Sequence, residues 1–376
     1  MQALIGRETG RGAGSPREGR QVEEPVTIRD VATRAGVAIS SVSAALNGTA
    51  GVSDATRQRV RRVAAEMGYV PSLRGKSLSA RRAFAVGLVI QRETTILESD
   101  PFFPSFISGV ESVLAGSGYA LVLQMEEEPE KALQRYGQLA GDRRVDGVFL
   151  ADIQVDDPRI ELLQQLGMPA VGVNSEPREF PFPSVTQDHV AGIETLISYL
   201  AESGHESIIH VSGPQNLLHS RQREEAWRRS LKRLQLPAGE VLPGDFTYQG
   251  GRRAADRLIG MSPRPTAVFC ANDLTAIGFM ARAQDLGLRI PWDLSVAGYD
   301  GIEIGGYVRP GLTTLRTSPR AIGAEAAKIL LDLIDGKNAS DVEIPHAELL
   351  LRDSTGRAPA PGPGAAGAPT AGALPA

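Results

Sequence analysis

Two kinds of hydrophobic spacing divide the chain. In residues 27–48, TIRDVATRAGVAISSVSAALNG, apolar Ile28, Val31 and Ala32 recur at helical spacing, Ala35 and Gly36 break the run, and Val42, Ala45 and Leu46 resume it. This predicts two short helices joined through a glycine. Such short helices cannot hold themselves in water, so a third is required to close the core. Ser53 suits its N-cap, Val60, Val63, Ala64 and Met67 form its apolar stripe, and Gly68 ends it near Met67. From Phe84 the spacing changes. Short apolar runs at 84–90, 119–124, 146–151, 168–173, 207–213, 266–271 and 294–299 predict strands. Amphipathic stretches near 104–117, 130–142, 157–166, 189–203, 220–234, 250–260 and 273–286 predict the helices between them. Alternating strand and helix means parallel sheets covered on both faces. About 260 such residues exceed one doubly wound sheet, so two lobes with a cleft are expected, with ligands beyond the carboxyl ends of the strands.

Composition narrows the class. The chain has 376 residues, 42 % apolar and 22 % charged, enough for two or three domains. No apolar run approaches 18 residues, which predicts no membrane span, and the first 25 residues lack the apolar core of a secretory signal. A single cysteine, Cys270 in the apolar run TAVFCA, excludes a disulfide framework and fits a reducing cytoplasm. Residues 26–82 hold ten Lys or Arg against Asp30, Asp54 and Glu66, a net +7 in a chain whose total is −4. Residues 1–25 balance at four of each sign, so the remainder carries about −11. A basic head on an acidic body suits a head that meets phosphates and a body that does not. The organisation expected is a disordered arm at 1–25, a helix-turn-helix domain at 26–70, a linker at 71–82, a two-lobed body at 83–355 and a disordered Ala, Pro and Gly tail at 356–376.

The candidate chemistry is that of recognition. Ser40, Ser41 and Ser43 give the second helix short polar side chains, which let a helix backbone approach a nucleic acid while donating hydrogen bonds. Arg57, Arg59, Arg61 and Arg62 crowd the third helix, either as a solvated charge run or as phosphate contacts. The linker SLRGKSLSARR contains Gly-Lys-Ser, but a phosphate loop needs a glycine where Val70 stands and a preceding strand. His205 and His210 bracket a glutamate in HESIIH, one residue too far apart to share a helix face as zinc ligands, in a segment that reads as a strand. No GxSxG elbow is present. Neither a metal, a cofactor nor an enzymatic activity is expected.

Six motifs in sequence resemble the lactose-repressor (LacI/GalR) family of bacterial transcription regulators over residues 26–355. TIRDVATRAGVAISSVSAALNG is similar to the family's helix-turn-helix, and GYVP with SLRGKSL to its hinge helix. DPFFPSFISGVE, ANDLTAIG, IPWDLSVAGYD and PGLTT resemble successive stretches of its effector-binding body. The resemblance implies an all-α helix-turn-helix head and hinge helix, followed by a doubly wound, periplasmic-binding-protein-like α/β body. It implies a cytoplasmic, homodimeric repressor of a near-palindromic operator in double-stranded DNA, controlled by a small-molecule effector. By the same resemblance Ile39, Ser40 and Ala44 face base edges. Thr27, Ser41, Ser43 and Asn47 meet the DNA backbone, and Leu78 wedges into the central base step from the minor groove. Phe102, Phe103, Arg223, Phe246, Asp273 and Asp300 match positions lining the effector cleft. Each of four has a second reading: Phe102 and Phe103 as core, Asp273 as a helix cap, Asp300 as part of a turn before Gly301. Carboxylates and an arginine beside aromatics suit a sugar, with a nucleobase or nucleoside as the alternative effector.

The chain departs from the family at three places. Ala38 replaces a usual Ser at the start of the recognition helix. Ala44 stands where many relatives carry an Arg that reads guanine, and Arg74 with Gly75 falls inside the hinge helix. The competing reading is an extracytoplasmic sugar-binding protein, which shares the two-lobed body; the basic head argues against it.

Overall fold

In the computed structural model, residues 26–48, 50–70, 77, 80–92, 100–175 and 180–360 are described. The expectations for the arm, for most of the hinge (Leu78, Arg74 and Gly75 included) and for most of the tail fall outside these residues. Two compact units divide after Arg81.

The first unit is a three-helix head of α1 (Ile28–Ala35), α2 (Ile39–Asn47) and α3 (Asp54–Glu66). Asp30 accepts hydrogen bonds from the Thr27 amide and hydroxyl at 2.8 and 2.7 Å, fixing the start of α1. The Ser53 hydroxyl accepts from the Thr56 amide at 3.3 Å and caps α3. The core is Val31, Ala32, Ala35, Val42, Ala45, Val60, Val63 and Ala64. Each helix contributes two or three small or branched residues, which explains why none of the three could stand alone.

The second unit holds two six-stranded sheets. The first contains β1 (Ala85–Ile90), β2 (Ala120–Met125), β3 (Gly147–Leu150), β4 (Ala170–Val173), β5 (Ser184–Gln187) and β11 (Val342–Ile344), in the order β11-β5-β4-β3-β1-β2, all parallel. The second contains β6 (Ile208–Ser212), β7 (Val241–Pro243), β8 (Ala267–Cys270), β9 (Ser295–Asp300), β10 (Thr313–Arg316) and β12 (Glu348–Leu350), in the order β12-β10-β9-β8-β6-β7. Only β12 is antiparallel to its neighbour. The two orders are the same pattern written twice.

Both faces of each sheet are covered, as continuous apolar strands require. In the first lobe Val86, Leu88 and Ile90 face α4 (Phe102–Ser117) and α11 (Pro319–Ile334), while Ala85 and Val89 face α5 (Pro129–Gly141) and α6 (Pro158–Gln165). In the second, Val268 and Val296 pack with α9 (Tyr248–Ile259) and α10 (Asp273–Asp285). Phe269 and Ala297 pack with α7 (His189–Glu202) and α8 (Leu218–Arg233). The strands and helices expected from 84 to 299 are all present. The short strands β5, β7, β10, β11 and β12 and the helix α11 were not among them.

The chain crosses between lobes three times, after β5, after β10 and after β11. One side chain ties the crossings together. Gln187 donates from Nε2 to the Pro345 carbonyl at 2.8 Å and accepts the Ser318 amide at its Oε1 at 3.0 Å. On the other side of the cleft the loop after β3 joins the segment leading into α8 by two backbone bonds. Val155 N–H donates to Asn216 O at 3.0 Å and Leu218 N–H to Ile153 O at 2.9 Å. The lobes are thus held at both sides of the space between their strand ends.

Candidate functional site

In the head, α2 presents its predicted side chains outward to different degrees. Ile39 is 45 % exposed, large for an isoleucine. Ser40 and Asn47 are exposed, and Ser41, Ser43 and Ala44 are half-buried. Asn47 donates to the Ser43 hydroxyl at 3.2 Å, one turn back. Ala38 is the N-cap of α2 and makes no side-chain cap bond, so the first amides of the helix are left for another acceptor. Thr27 sits at the exposed start of α1. Arg59, Arg61 and Arg62 lie exposed on α3, Arg62 within 3.9 Å of Glu66.

The body's candidate site is the cavity between the lobes, about 470 Å³ including the part open to solvent. Its walls come from the carboxyl ends of strands. Arg92 follows β1, Asp152 follows β3, Asn174 follows β4, Asn272 follows β8 and Asp300 ends β9. Phe246 follows β7, and α4 and α8 add Phe102, Phe103, His219 and Arg223. A narrower extension reaches Gln187, His189, Tyr299 and Thr317 at the crossings. Four lining residues that are not glycine have left-handed backbone: Asp152 (φ 48°), Asn174 (φ 54°), Phe246 (φ 59°) and Asp300 (φ 116°). Such conformations persist only where the surroundings impose them, and they gather at binding sites.

Arg223 is the hub of the second lobe's wall. Its Nη1 donates to the Ala271 carbonyl at 2.6 Å, its guanidinium lies 3.9 Å over the Tyr299 ring, and its Nη2 stands 3.8 Å from Asp300 Oδ1. Phe246 lies 5.6 Å from the same guanidinium and stacks on His219 at 5.3 Å with the rings 5° apart. That ring fits only because residue 213 is glycine: a Cβ there would meet Phe246 at 2.2 Å. Asn272 caps α10 through the Thr275 amide at 3.0 Å and donates to the Phe246 carbonyl at 3.0 Å, joining two loops of the wall.

The charges are set by burial and pairing. Burial opposes ionisation of Asp152, yet the charge and hydrogen bond of Arg92, 2.7 Å away, hold its carboxyl below the usual range. Burial pushes Asp100 up despite the Phe102 amide bound to its Oδ1 at 2.9 Å, and lifts Asp300 well above the ordinary value against the pull of Arg223. His219 is held neutral, its pKa lowered to about 3 by burial and then by Arg223. Asp100 and Asp300, in which burial favours the neutral acid, therefore face the cavity beside two guanidinium groups already engaged with partners.

The structure brings Phe102, Arg223, Phe246 and Asp300 to the cavity, together with Phe103, which also belongs to the first lobe's core. It does not bring Asp273 there. That carboxylate is wholly buried behind the wall, bonded to Thr314 and the Ile302 amide. Sequence reasoning missed Arg92, Asp100, Asp152, Asn174, His219 and Asn272. A signal existed for four of them: Arg92, Asp152, Asn174 and Asn272 are polar residues one or two positions beyond a predicted strand's apolar run.

Known proteins share this architecture. Residues 27–72 match the lacI family of bacterial regulatory proteins, and residues 197–355 match the periplasmic binding protein-like domain. The transcriptional repressor PurR of Vibrio vulnificus is 33 % identical over 332 residues, covering 87 % of this chain and 98 % of that protein. The structure of the transcriptional regulator CelR in complex with cellobiose is 32 % identical, with a TM-score of 0.68 over 88 % of this chain and 99 % of that one. The lac repressor dimer bound to operator and the anti-inducer ONPF is 27 % identical, with a TM-score of 0.75 over 89 % and 100 %. With a helix-turn-helix head, a two-lobed body and relatives of this identity along their whole length, the chain belongs to the lacI family of bacterial DNA-binding transcription regulators.

Proposed function

We propose that the protein represses transcription as a homodimer on a near-palindromic operator, and that a neutral sugar in the interlobe cleft sets its operator affinity. The observation that carries the effector reading is the balance of the cavity's polar groups. Asp100 and Asp300 offer acceptors, Asn174 and Asn272 offer both functions, and Arg92 and Arg223 are each committed to a carboxylate or carbonyl. Arg92 and Arg223 are already engaged by protein acceptors, which disfavours an anionic ligand. Hydroxyl groups that donate and accept at short intervals satisfy such a wall. Phe246 stacks on His219 and Phe102 on Phe106, so each ring has at most one face left for the apolar face of a sugar ring. The cellobiose bound by the related CelR supports the same class.

On DNA, Ile39, Ser40 and Ala44 read base edges while Thr27, Ser41, Ser43 and Asn47 meet the backbone. Leu78, outside the described residues, is assigned the minor-groove wedge by the family resemblance. If a dimer neutralises about eight phosphates, log K falls with log salt at a slope near −7. Binding almost indifferent to salt would contradict that footprint. For the effector, a panel of neutral mono- and disaccharides, nucleobases and nucleosides is titrated against operator complex by gel shift, with tryptophan fluorescence in parallel. Trp227 lies one helical turn beyond Arg223 and reports on that wall. A sugar is expected to shift both signals, and Arg223→Ala and Asp300→Ala to abolish the shift with ligand-free operator binding kept. A response to a nucleoside alone would overturn the sugar reading.

A further inference from the structure

Asp300 occupies backbone space that side chains rarely enter, so something must hold it there. Its own carbonyl accepts from the Thr317 amide at 3.1 Å and the Thr317 hydroxyl at 3.2 Å. The residues after it are gripped from the opposite side. The Ile302 amide donates to Asp273 Oδ2 at 2.8 Å. The Gly301 amide donates to the Thr314 hydroxyl at 3.3 Å, and that hydroxyl donates to Asp273 Oδ1 at 2.5 Å. Asp273 reaches this position by lying directly against β9. A Cβ on Gly298 would stand 2.1 Å from its Oδ1, which is why VAGYD carries a glycine two residues before the aspartate.

The cost of this arrangement shows that it is not incidental. Asp273 is fully buried and, among the described residues, has no ion-pair partner. Burial raises its pKa to about 7 although Thr314 and the Ile302 amide both favour the carboxylate. Capping does not account for it, because Asn272 already caps α10. Nor does direct ligand contact, since Asp273 lines neither cavity. We infer that Asp273, through Thr314, is a positioning residue that holds Asp300 at the cleft wall beside Arg223. The role rests on the reading above only in giving Asp300 an effector to meet.

The test uses crystal structures of the full chain carrying Thr314→Val, Thr314→Ser or Asp273→Asn, beside the parent. Valine keeps the shape but removes the relay hydroxyl; serine restores it. In Thr314→Val, Asp300 is expected to leave the left-handed region and its gap from Arg223 to widen past the ion-pair limit of about 4 Å. Thr314→Ser keeps the parental geometry. Asp273→Asn, which fills the same space without the second acceptor, moves Asp300 in the same direction as valine. Cellobiose titration by calorimetry is run on each protein, with affinity expected to fall about tenfold in Thr314→Val, the loss of roughly one hydrogen bond to a charged group, and to return in Thr314→Ser. Asp300 unmoved in Thr314→Val, or moved equally in Thr314→Ser, overturns the positioning role whatever cellobiose does. Asp300 displaced while the parent itself fails to bind cellobiose supports the role and counts against cellobiose as the effector.

Discussion

In the first lobe the loop after β3 rests on Arg159; in the second the loop after β9 rests on Asp273. Arg159 is buried beneath its loop and donates to the carbonyls of Ala151 and Asp152 at 3.1 and 2.9 Å. Asp273 is buried beneath its own loop and accepts the amide that follows Gly301. One lobe thus orders its cleft wall with a cation on carbonyl oxygens, the other with an anion on amide hydrogens. The anchors differ in company as well as sign. Arg159 has a carboxylate partner, Asp157, its Nε 2.9 Å from Oδ1, with both side chains almost wholly buried. Burial opposes that Asp157 charge, but Arg159 outweighs it and keeps the carboxyl below its usual range. Asp273 has hydrogen bonds, a more distant attraction from Arg352 and, among the described residues, no ion-pair partner, and burial wins. A paired anchor keeps its charge across ordinary pH; an unpaired carboxylate becomes a group that titrates.

Breaking the paired anchor has the largest expected effect. Arg159→Met leaves Asp157 buried without its partner and should cost about 3–5 kcal/mol, read as a lower urea midpoint at unchanged slope. A loss below about 1 kcal/mol, the scale of a surface pair, would mean that water reaches Asp157 and the two lobes do not differ as described. Gly298→Ala addresses the unpaired anchor by crowding. Its Cβ would overlap Asp273 Oδ1, and overpacking of this kind costs about 1–3 kcal/mol. The same substitution should weaken effector binding, because it pushes on the carboxylate that steadies the Asp300 loop; a fully parental effector response would separate stability from positioning.

The pH dependence distinguishes the anchors most finely. Asp273 has a folded-state pKa of about 7 against an ordinary 3.8, so between those values the folded chain holds a proton that the unfolded chain has released. The stability this confers is present below the unfolded value and is lost as pH rises toward 7. Asp157 runs the other way: its depressed folded value confers stability above the unfolded pKa, lost as pH falls. Comparing urea midpoints of the parent and Asp273→Asn from pH 4 to pH 7 should show the parent losing ground with rising pH. Parallel curves would show Asp273 charged throughout that range.

Much of this arrangement was legible in the chain. Helical spacing in residues 27–67 and alternating strand and helix runs from 84 to 299 are local patterns, written by the burial each element needs. The structure realises them with ends displaced by a residue or two, as for β1 at Ala85–Ile90. The short strands β5 (SVTQ), β7 (VLP) and β11 (VEI) lack the longer apolar run that marks the equally short β3, β4 and β8. Asp300 was found because it ends the motif IPWDLSVAGYD at a predicted strand end, and Arg223 because the family resemblance matches its position near the start of the helix predicted at 220–234. His219 stands at a comparable helix start without a pattern of its own, and neither the strand-end place of Arg92 nor the place of Asp100 at the head of DPFFPSFISGVE says that the side chain faces the cavity. Their membership depends on which loops face each other once the lobes close.

What the sequence determined by itself is therefore the head, the doubly wound body, the basic-to-acidic division and the strand ends at which a ligand would sit. Each follows from interactions between residues near one another along the chain, or from composition alone. Tertiary structure alone decided that α11, which follows β10 of the second lobe, covers the first sheet, and that Gln187 joins all three crossings. It also decided that neighbouring Asn272 and Asp273 divide their work, one at the cavity and one behind it. Adjacent residues entering a helix point in different directions, and only the position of β9 against α10, set by contacts about 25 residues apart in the chain, settles which of them meets the ligand and which meets the backbone that holds Asp300.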